Sequence, residues 1–306
     1  MATTSGTTVF NLDMSELIED AFERCGSELR SGYDMRTARR SLNLLTIEWA
    51  NRGINLWTID QGQIVMNTGQ AIYAIPSDTI DLLDMVTRVG SNETQSDVTV
   101  SRISEPTYMS IPNKNATGRP VQAWVNRQTG LTNTTSVVLV GGISSSDTTI
   151  TVSDASQLAS CGFINVGTET IVYQNVSGNQ LLNCFRGQNN TTAAAHLTGA
   201  SVSVANLSSV NVYPTPSAPG DQYTFVYYRM RRIQDAGNGV NIQDIPFRML
   251  NCMVAGLAFY LSQKISGADV RMGWLKSEYE EQWLLASTED RDKAADRYVP
   301  RNMFYA

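Results

Sequence analysis

The sequence predicts an α+β fold: a helical bundle formed from N- and C-terminal helices, a β-sheet region, and an inserted all-β domain of sandwich or small-barrel type. Three observations predict it. Amphipathic helical patterns stand at both ends of the chain, and neither end can bury its apolar stripe alone. Alternating, strand-like segments fill the middle. Within that middle, residues 129–207 change composition: proline, methionine and tryptophan vanish, and Thr, Ser, Asn, Gly and Val dominate. The expected division is therefore a core of 1–128 and 208–306, with the bundle at 13–53 and 244–298, an inserted β domain at 129–207, and a C-terminal arm at 297–306.

Residues 1–10, rich in Thr and Ser, read as an arm. Asp13 caps a first helix to about Cys25, and Glu16 completes a capping box. Leu17, Ile18, Ala21, Phe22 and Cys25 share one face, and Gly26 ends it. A second helix over 34–52 carries the stripe Met35, Ala38, Leu42, Leu45 and Trp49, with Gly53 as its left-handed cap. The stretch to Met66 alternates and is expected to turn as a hairpin at Gln61-Gly62. A strand over 71–75 stops at Pro76. A turn and a short helical turn are expected within 77–83, and strands over 84–89 and 121–127.

In the insertion, short strands are expected at 136–140, 148–152, 162–166, 169–173, 180–185 and 200–204, separated by glycine turns. Strands at 210–213 and 223–231 follow it. The second should pair with 121–127 or 210–213, so that strands on either side of the insertion share a sheet. Asp244 is then expected to cap a helix whose stripe is Phe247, Leu250, Val254, Leu257, Leu261 and Ile265. Met249, Met253 and Phe259 make that helix apolar nearly all round, which places it at the centre of its bundle. A last helix runs from about 268 to at least 287. Its expected apolar face is Val270, Trp274, Leu275, Tyr279, Trp283 and Leu284, which fits either bundle core or contacts to partners.

Composition excludes several classes. The 306 residues carry a net charge of −6, which argues against a DNA binder that relies on a basic surface. No run approaches eighteen apolar residues, so no membrane association is expected. The first residues show neither a basic start nor an apolar core, so no signal peptide is expected. Cys25, Cys161, Cys184 and Cys252 form no CxxC pair and read as buried free thiols of a cytoplasmic product. Pairing of Cys161 with Cys184 is the alternative. His196 is the single histidine, so no metal set and no nucleophile–base pair is assembled, and it reads as a loop or strand residue. The acids Glu280, Glu281, Asp290 and Asp292 read as solvated charge. No catalytic, cofactor or metal site is expected, and the chain does not read as an enzyme. Arg229, Arg231 and Arg232 have two readings: salt bridges within the molecule, or contacts to a partner subunit or to phosphates. Arg36, Arg39 and Arg40 have the same two.

The order of several segments carries a resemblance. The helical opening Glu16-Leu-Ile-Glu-Asp-Ala-Phe-Glu-Arg-Cys-Gly26 is followed by Glu48-Trp-Ala-Asn-Arg-Gly-Ile-Asn-Leu-Trp57 and Gln70-Ala-Ile-Tyr-Ala-Ile-Pro76. Next come Tyr108-Met-Ser-Ile-Pro-Asn-Lys114, Gly118-Arg-Pro120, Val212-Tyr-Pro-Thr-Pro216 and Tyr227-Tyr-Arg-Met-Arg-Arg-Ile233. In this order, over about 13–128 and 208–290, the chain resembles the head-to-tail adaptor (connector) proteins of short-tailed bacteriophages. None of the motifs is specific alone. The insertion, with Asp147-Thr-Thr-Ile-Thr-Val152 and Gly167-Thr-Glu-Thr-Ile-Val-Tyr173, resembles a small β module of phage structural proteins. Smaller adaptors lack it, which leaves its role open.

The resemblance implies a structural virion protein assembled in the bacterial host cytoplasm. Such adaptors form a homo-oligomeric ring, typically of twelve copies, that joins the portal protein to the tail nozzle protein. The ring continues the channel for double-stranded DNA without reading its sequence. An intermediate reading keeps the adaptor and sets the β module at the rim of the ring, to hold tail fibres or decorate the vertex. The segment with Arg297, Tyr298, Val299, Met303, Phe304 and Tyr305 is expected to dock on the portal. A second expectation, from another class, is a host-attachment or glycan-binding tail protein with the β module as reader. Its available aromatics are Phe163, Tyr173 and Phe185, which alternation turns inward.

Overall fold

A computed structural model describes residues 12–53, 56–90, 94–217, 223–237 and 241–290. The fold is α+β. Its helices are α1 (Met14–Cys25), α2 (Gly32–Arg52), α3 (Glu105–Met109), α4 (Leu250–Ser262) and α5 (Met272–Glu289). The chain divides into two compact units, 1–58 with 232–306 and 59–231.

The first unit is helical and starts as the capping chemistry dictates. Asp13 accepts from the Glu16 N–H at 2.9 Å, and the Glu16 carboxylate accepts from the Asp13 N–H at 3.2 Å. Gly26 closes α1 at φ 77°. Helix α2 begins earlier than its apolar stripe, because Ser31 and Asp34 form a second reciprocal box with aspartate as the acid. Asp244 does not cap α4. Its carboxylate accepts from the Gln234 N–H, and a 3₁₀ turn at Phe247–Met249 leads in after Pro246. Phe247 is consequently exposed and leaves the expected stripe.

Helix α4 is buried over most of its circumference, including Cys252, Met253, Val254, Leu257 and Leu261. It packs against α1, α2 and α5 in one core with Leu17, Phe22, Leu45 and Trp49. Each such side chain contributes on the order of 2 kcal/mol by leaving water. Gly256 makes the approach possible: a Cβ there would lie 2.9 Å from both Leu45 and Tyr279. A polar staple crosses the core edge. Trp49 Nε1 donates to Tyr279 Oη at 3.0 Å, and Tyr279 and Tyr260 both donate to Glu48. Arg52 stacks over the Tyr279 and Trp283 rings and pairs with Glu280.

The second unit is made of strands. The first part of its chain supplies β1 (Ile59–Val65), β2 (Ile72–Ala74), β3 (Thr79–Val89), β4 (Ser96–Thr99), β5 (Ser101–Arg102), β6 (Thr117–Gly118) and β7 (Gln122–Asn126). The insertion supplies β8 (Thr132–Val138), β9 (Thr149–Thr151), β10 (Gly162–Val166), β11 (Glu169–Tyr173), β12 (Asn175–Ser177), β13 (Gln180–Leu182), β14 (Phe185–Gln188) and β15 (Ser201–Ala205). Then follow β16 (Ser209–Tyr213), β17 (Thr215–Pro216) and β18 (Thr224–Arg231).

One sheet runs β1-β18-β3-β4 and a second β2-β16-β7-β5, and both face a core containing Leu82, Met85, Val125, Val212, Phe225 and Tyr227. Strands from both sides of the insertion share each of these sheets. The partners of β18 are β1 and β3, however, and not 121–127 or 210–213, which pair with each other. No hairpin forms at Gln61-Gly62. Gly62 lies within β1 opposite Tyr227, where any Cβ would overlap the tyrosine ring. Of the turn and short helical turn expected in 77–83, the turn forms at Ser77-Asp78 and the helical part is absent, since β3 runs unbroken from Thr79.

Among the described residues, the strands of 132–205 pair only among themselves, in sheets β14-β11-β10-β15-β8 and β12-β13-β9. The two sheets enclose a core of Ile150, Ile164, Ile171, Tyr173, Leu181 and Val202, which makes a sandwich. Strand β11 is buried on both faces, because Val172 and Phe163 turn outward onto Ile72. That second contact joins the sandwich to the rest of this unit. The expected strand over 180–185 is broken at Asn183, which adopts φ 52°. Inward alternation therefore falls on Leu181 and Cys184, not on Leu182.

Candidate interaction surfaces

The arginines of β18 find partners within the molecule. Arg229 pairs with Asp78 at 2.5 Å and Asp60 at 3.6 Å, and donates to Thr79 at 3.0 Å. Arg231 Nε reaches Asp60 at 3.1 Å. Burial pushes the Asp78 carboxyl up, but Arg229 and Arg231 outweigh it and hold that carboxyl below its usual range. The salt-bridge reading of these two residues thus has an observed geometry. Arg232 follows the strand and is exposed. Arg39 donates to the Gly237 carbonyl, whereas Arg36 and Arg40 are exposed.

On α5, Leu275, Tyr279, Trp283 and Ala286 face the core. Val270, Trp274 and Leu284 fall outside the face expected for them and are exposed, Val270 because it lies in the 3₁₀ turn that precedes the helix. Leu285 joins them on the outside. Helix α2 likewise has an exposed side with Tyr33, Leu44 and Ile47. The portal-docking residues Arg297, Tyr298, Val299, Met303, Phe304 and Tyr305 lie outside the described residues, as do Asp292 and the first eleven residues.

A buried ionic cluster, missed in the sequence, sits in the sandwich. The Glu169 side chain is 1% exposed. It accepts from Arg186 Nε and Nη2, both at 2.8 Å, and from the N–H groups of Gly187 at 3.0 Å and Ala194 at 3.1 Å. His196 Nε2 stands 2.8 Å from the same carboxylate. Burial alone pushes the Glu169 carboxyl up, but Arg186, His196 and the two N–H groups overcome it and hold it at about 2. A signal for the pair existed. Residues 129–207 contain only four acidic or basic side chains of the Asp, Glu, Lys and Arg types, and Glu169 stands in a strand that is otherwise apolar or threonine.

The four cysteines are free. Cys161 is exposed and so departs from the expectation of buried thiols, and no bridge joins it to Cys184. Burial raises the thiols of Cys25 to about 11 and of Cys184 and Cys252 to about 12. Phe163 and Tyr173 are buried and Phe185 is half-buried. A cavity of about 900 Å³ opens instead beside Tyr108 and Trp124, whose rings stack at 5.4 Å. Lys114 stands 5.7 Å over the Tyr108 ring, and Asn115, Gln174 and Asn175 also line the space.

Among the described residues, no group of His, Cys, Asp and Glu is placed to hold a metal ion, and no helix is long and apolar enough to cross a membrane. Compared with protein-family models and with curated proteins, the chain has no match.

Proposed function

We propose that this chain is a structural virion protein, a head-to-tail adaptor whose copies form a ring between the portal and the tail nozzle and continue the DNA channel. The observation that carries the reading is the helical unit. Helices from both ends of the chain surround one buried helix and still leave apolar helix faces outside. A packed helical unit with unspent apolar faces suits repetition around an axis. The ordered motifs from Glu16 to Ile233 support the same reading, and a net charge of −6 suits a conduit that lets DNA pass. In this reading Arg297, Tyr298, Val299, Met303, Phe304 and Tyr305 dock on the portal, and the sandwich is carried at the rim. The test is co-sedimentation of the purified chain with a portal ring and with nozzle protein. Binding to both is expected, and a chain that engages neither overturns the reading.

The cavity beside Tyr108 and Trp124 favours a second reading, a glycan-binding tail protein. An aromatic pair next to amide side chains is the chemistry that receives a sugar ring and its hydroxyls. A glycan array decides it: a hit lost in Trp124→Ala supports this reading, and an empty array removes it.

A further inference from the structure

The core of the helical unit leaves a face unused on each of two helices. On α2, Tyr33, Arg36, Arg40, Leu44 and Ile47 follow at three- and four-residue spacing and form one stripe. Tyr33, Leu44 and Ile47 are 64%, 51% and 58% exposed. The other side of α2 carries Ala38, Leu42 and Trp49, all fully buried. On α5, Trp274, Glu281 and Leu285 form a stripe, with Trp274 60% and Leu285 57% exposed. The reverse side carries Tyr279 and Trp283. Trp49 bonds to Tyr279 and packs on Trp283, with ring centroids 5.3 Å apart. These contacts turn the buried sides of α2 and α5 toward each other. At about 100° per residue, each stripe lies on the side of its own helix away from this shared contact, so one copy does not pack one stripe on the other.

The stripes also differ in charge. Arg36 and Arg40 flank the apolar residues of α2, and Glu281 sits between Trp274 and Leu285 on α5. Among the described residues none of these three has an ion-pair partner. A symmetric contact would set arginine against arginine or glutamate against glutamate. An alternating contact sets each charge against its opposite, with Trp274 and Leu285 against Leu44 and Ile47.

We propose that the α2 stripe of one copy packs on the α5 stripe of the next. This is a head-to-tail contact between unlike faces, the kind that closes into a ring when its rotation permits. The inference deepens the adaptor reading by naming the surface between subunits, and it rests on copies meeting at all.

The experiment is disulfide trapping in the full-length chain, with Cys161→Ser removing the exposed native thiol. A chain carrying Ile47→Cys is mixed with one carrying Leu285→Cys and mildly oxidised, and the linked peptides are identified by mass spectrometry. Leu197→Cys, at a position 84% exposed in the sandwich, serves as the collision control. Links between 47 and 285 are expected at least about tenfold above links between 47 and 197, the factor a contact of ~1.4 kcal/mol gives. Dominance of 47–47 or 285–285 links, or yields equal to the control, overturns the proposal. Occupation of the α5 stripe by residues 291–306 of the same copy would also overturn it, and would appear as restored 47–285 linking only after their removal. The two readings fail separately. A ring seen without the 47–285 link refutes this interface alone. The link formed by a chain that binds neither portal nor nozzle refutes the adaptor reading alone.

Discussion

Replacing Glu169 by glutamine should loosen the β sandwich and leave the helical unit intact. Glutamine keeps the volume but turns an NH₂ group onto the donors of Arg186, His196 or Ala194, and it leaves the Arg186 charge, 6% exposed, without its counter-ion. Breaking a buried pair from one side typically costs about 3–5 kcal/mol. Proton linkage gives a compatible figure: a carboxyl at about 2 in the fold against 4.5 in the unfolded chain contributes roughly 3 kcal/mol. The most protected amides of β10 and β11 should then exchange with deuterium about a hundredfold faster in Glu169→Gln, while α4 is unaffected. Because the folded value is depressed, the contribution is whole above about pH 4.5 and is lost as pH falls toward about 2. The wild-type sandwich should lose protection across that window, and the variant should lack that part of its acid sensitivity. Equal protection of the two proteins at neutral pH would refute the reasoning.

Other consequences are quick to check. Native thiol titration should find one fast cysteine, the exposed Cys161, and four after unfolding, since the other three are buried out of the reagent's reach; two or more fast thiols would contradict the burial pattern. Residues 131–206 should be replaceable by a short Gly/Ser link, because the Gly130 N–H already donates to the Asn206 carbonyl at 2.7 Å. Global unfolding of that variant, read by circular dichroism, would show that the sandwich is no independent insertion. Deleting residues 297–306 should leave the circular dichroism spectrum unchanged and weaken capture by portal; undiminished capture would remove the docking arm.

The helices were legible because their signals are local. Asp13 with Glu16, and the glycines at 26 and 53, mark ends that the backbone obeys. The central place of α4 was legible from its nearly unbroken apolar surface. Strand partnership was not, because a strand pattern says which side is buried and not which strand lies beside it. That is why the pattern of β18 suits 121–127 or 210–213 as a partner, whereas it pairs with β1 and β3. Gly62 looks like a turn residue in sequence and serves as a gap for the Tyr227 ring, a role visible only once the register is known. The Glu169 cluster joins residues up to 27 positions apart, so composition marked its members as unusual without bringing them together. The outward stripes of α2 and α5 were hidden for a related reason: Leu44, Ile47, Trp274 and Leu285 are apolar, and apolar residues on a helix read as core until packing shows otherwise.

The most direct measurement is electron microscopy of the purified full-length chain, alone and mixed with a portal ring. The adaptor account predicts closed rings with a central channel, stacked coaxially on the portal when it is present. Particles that remain single copies under both conditions would contradict it.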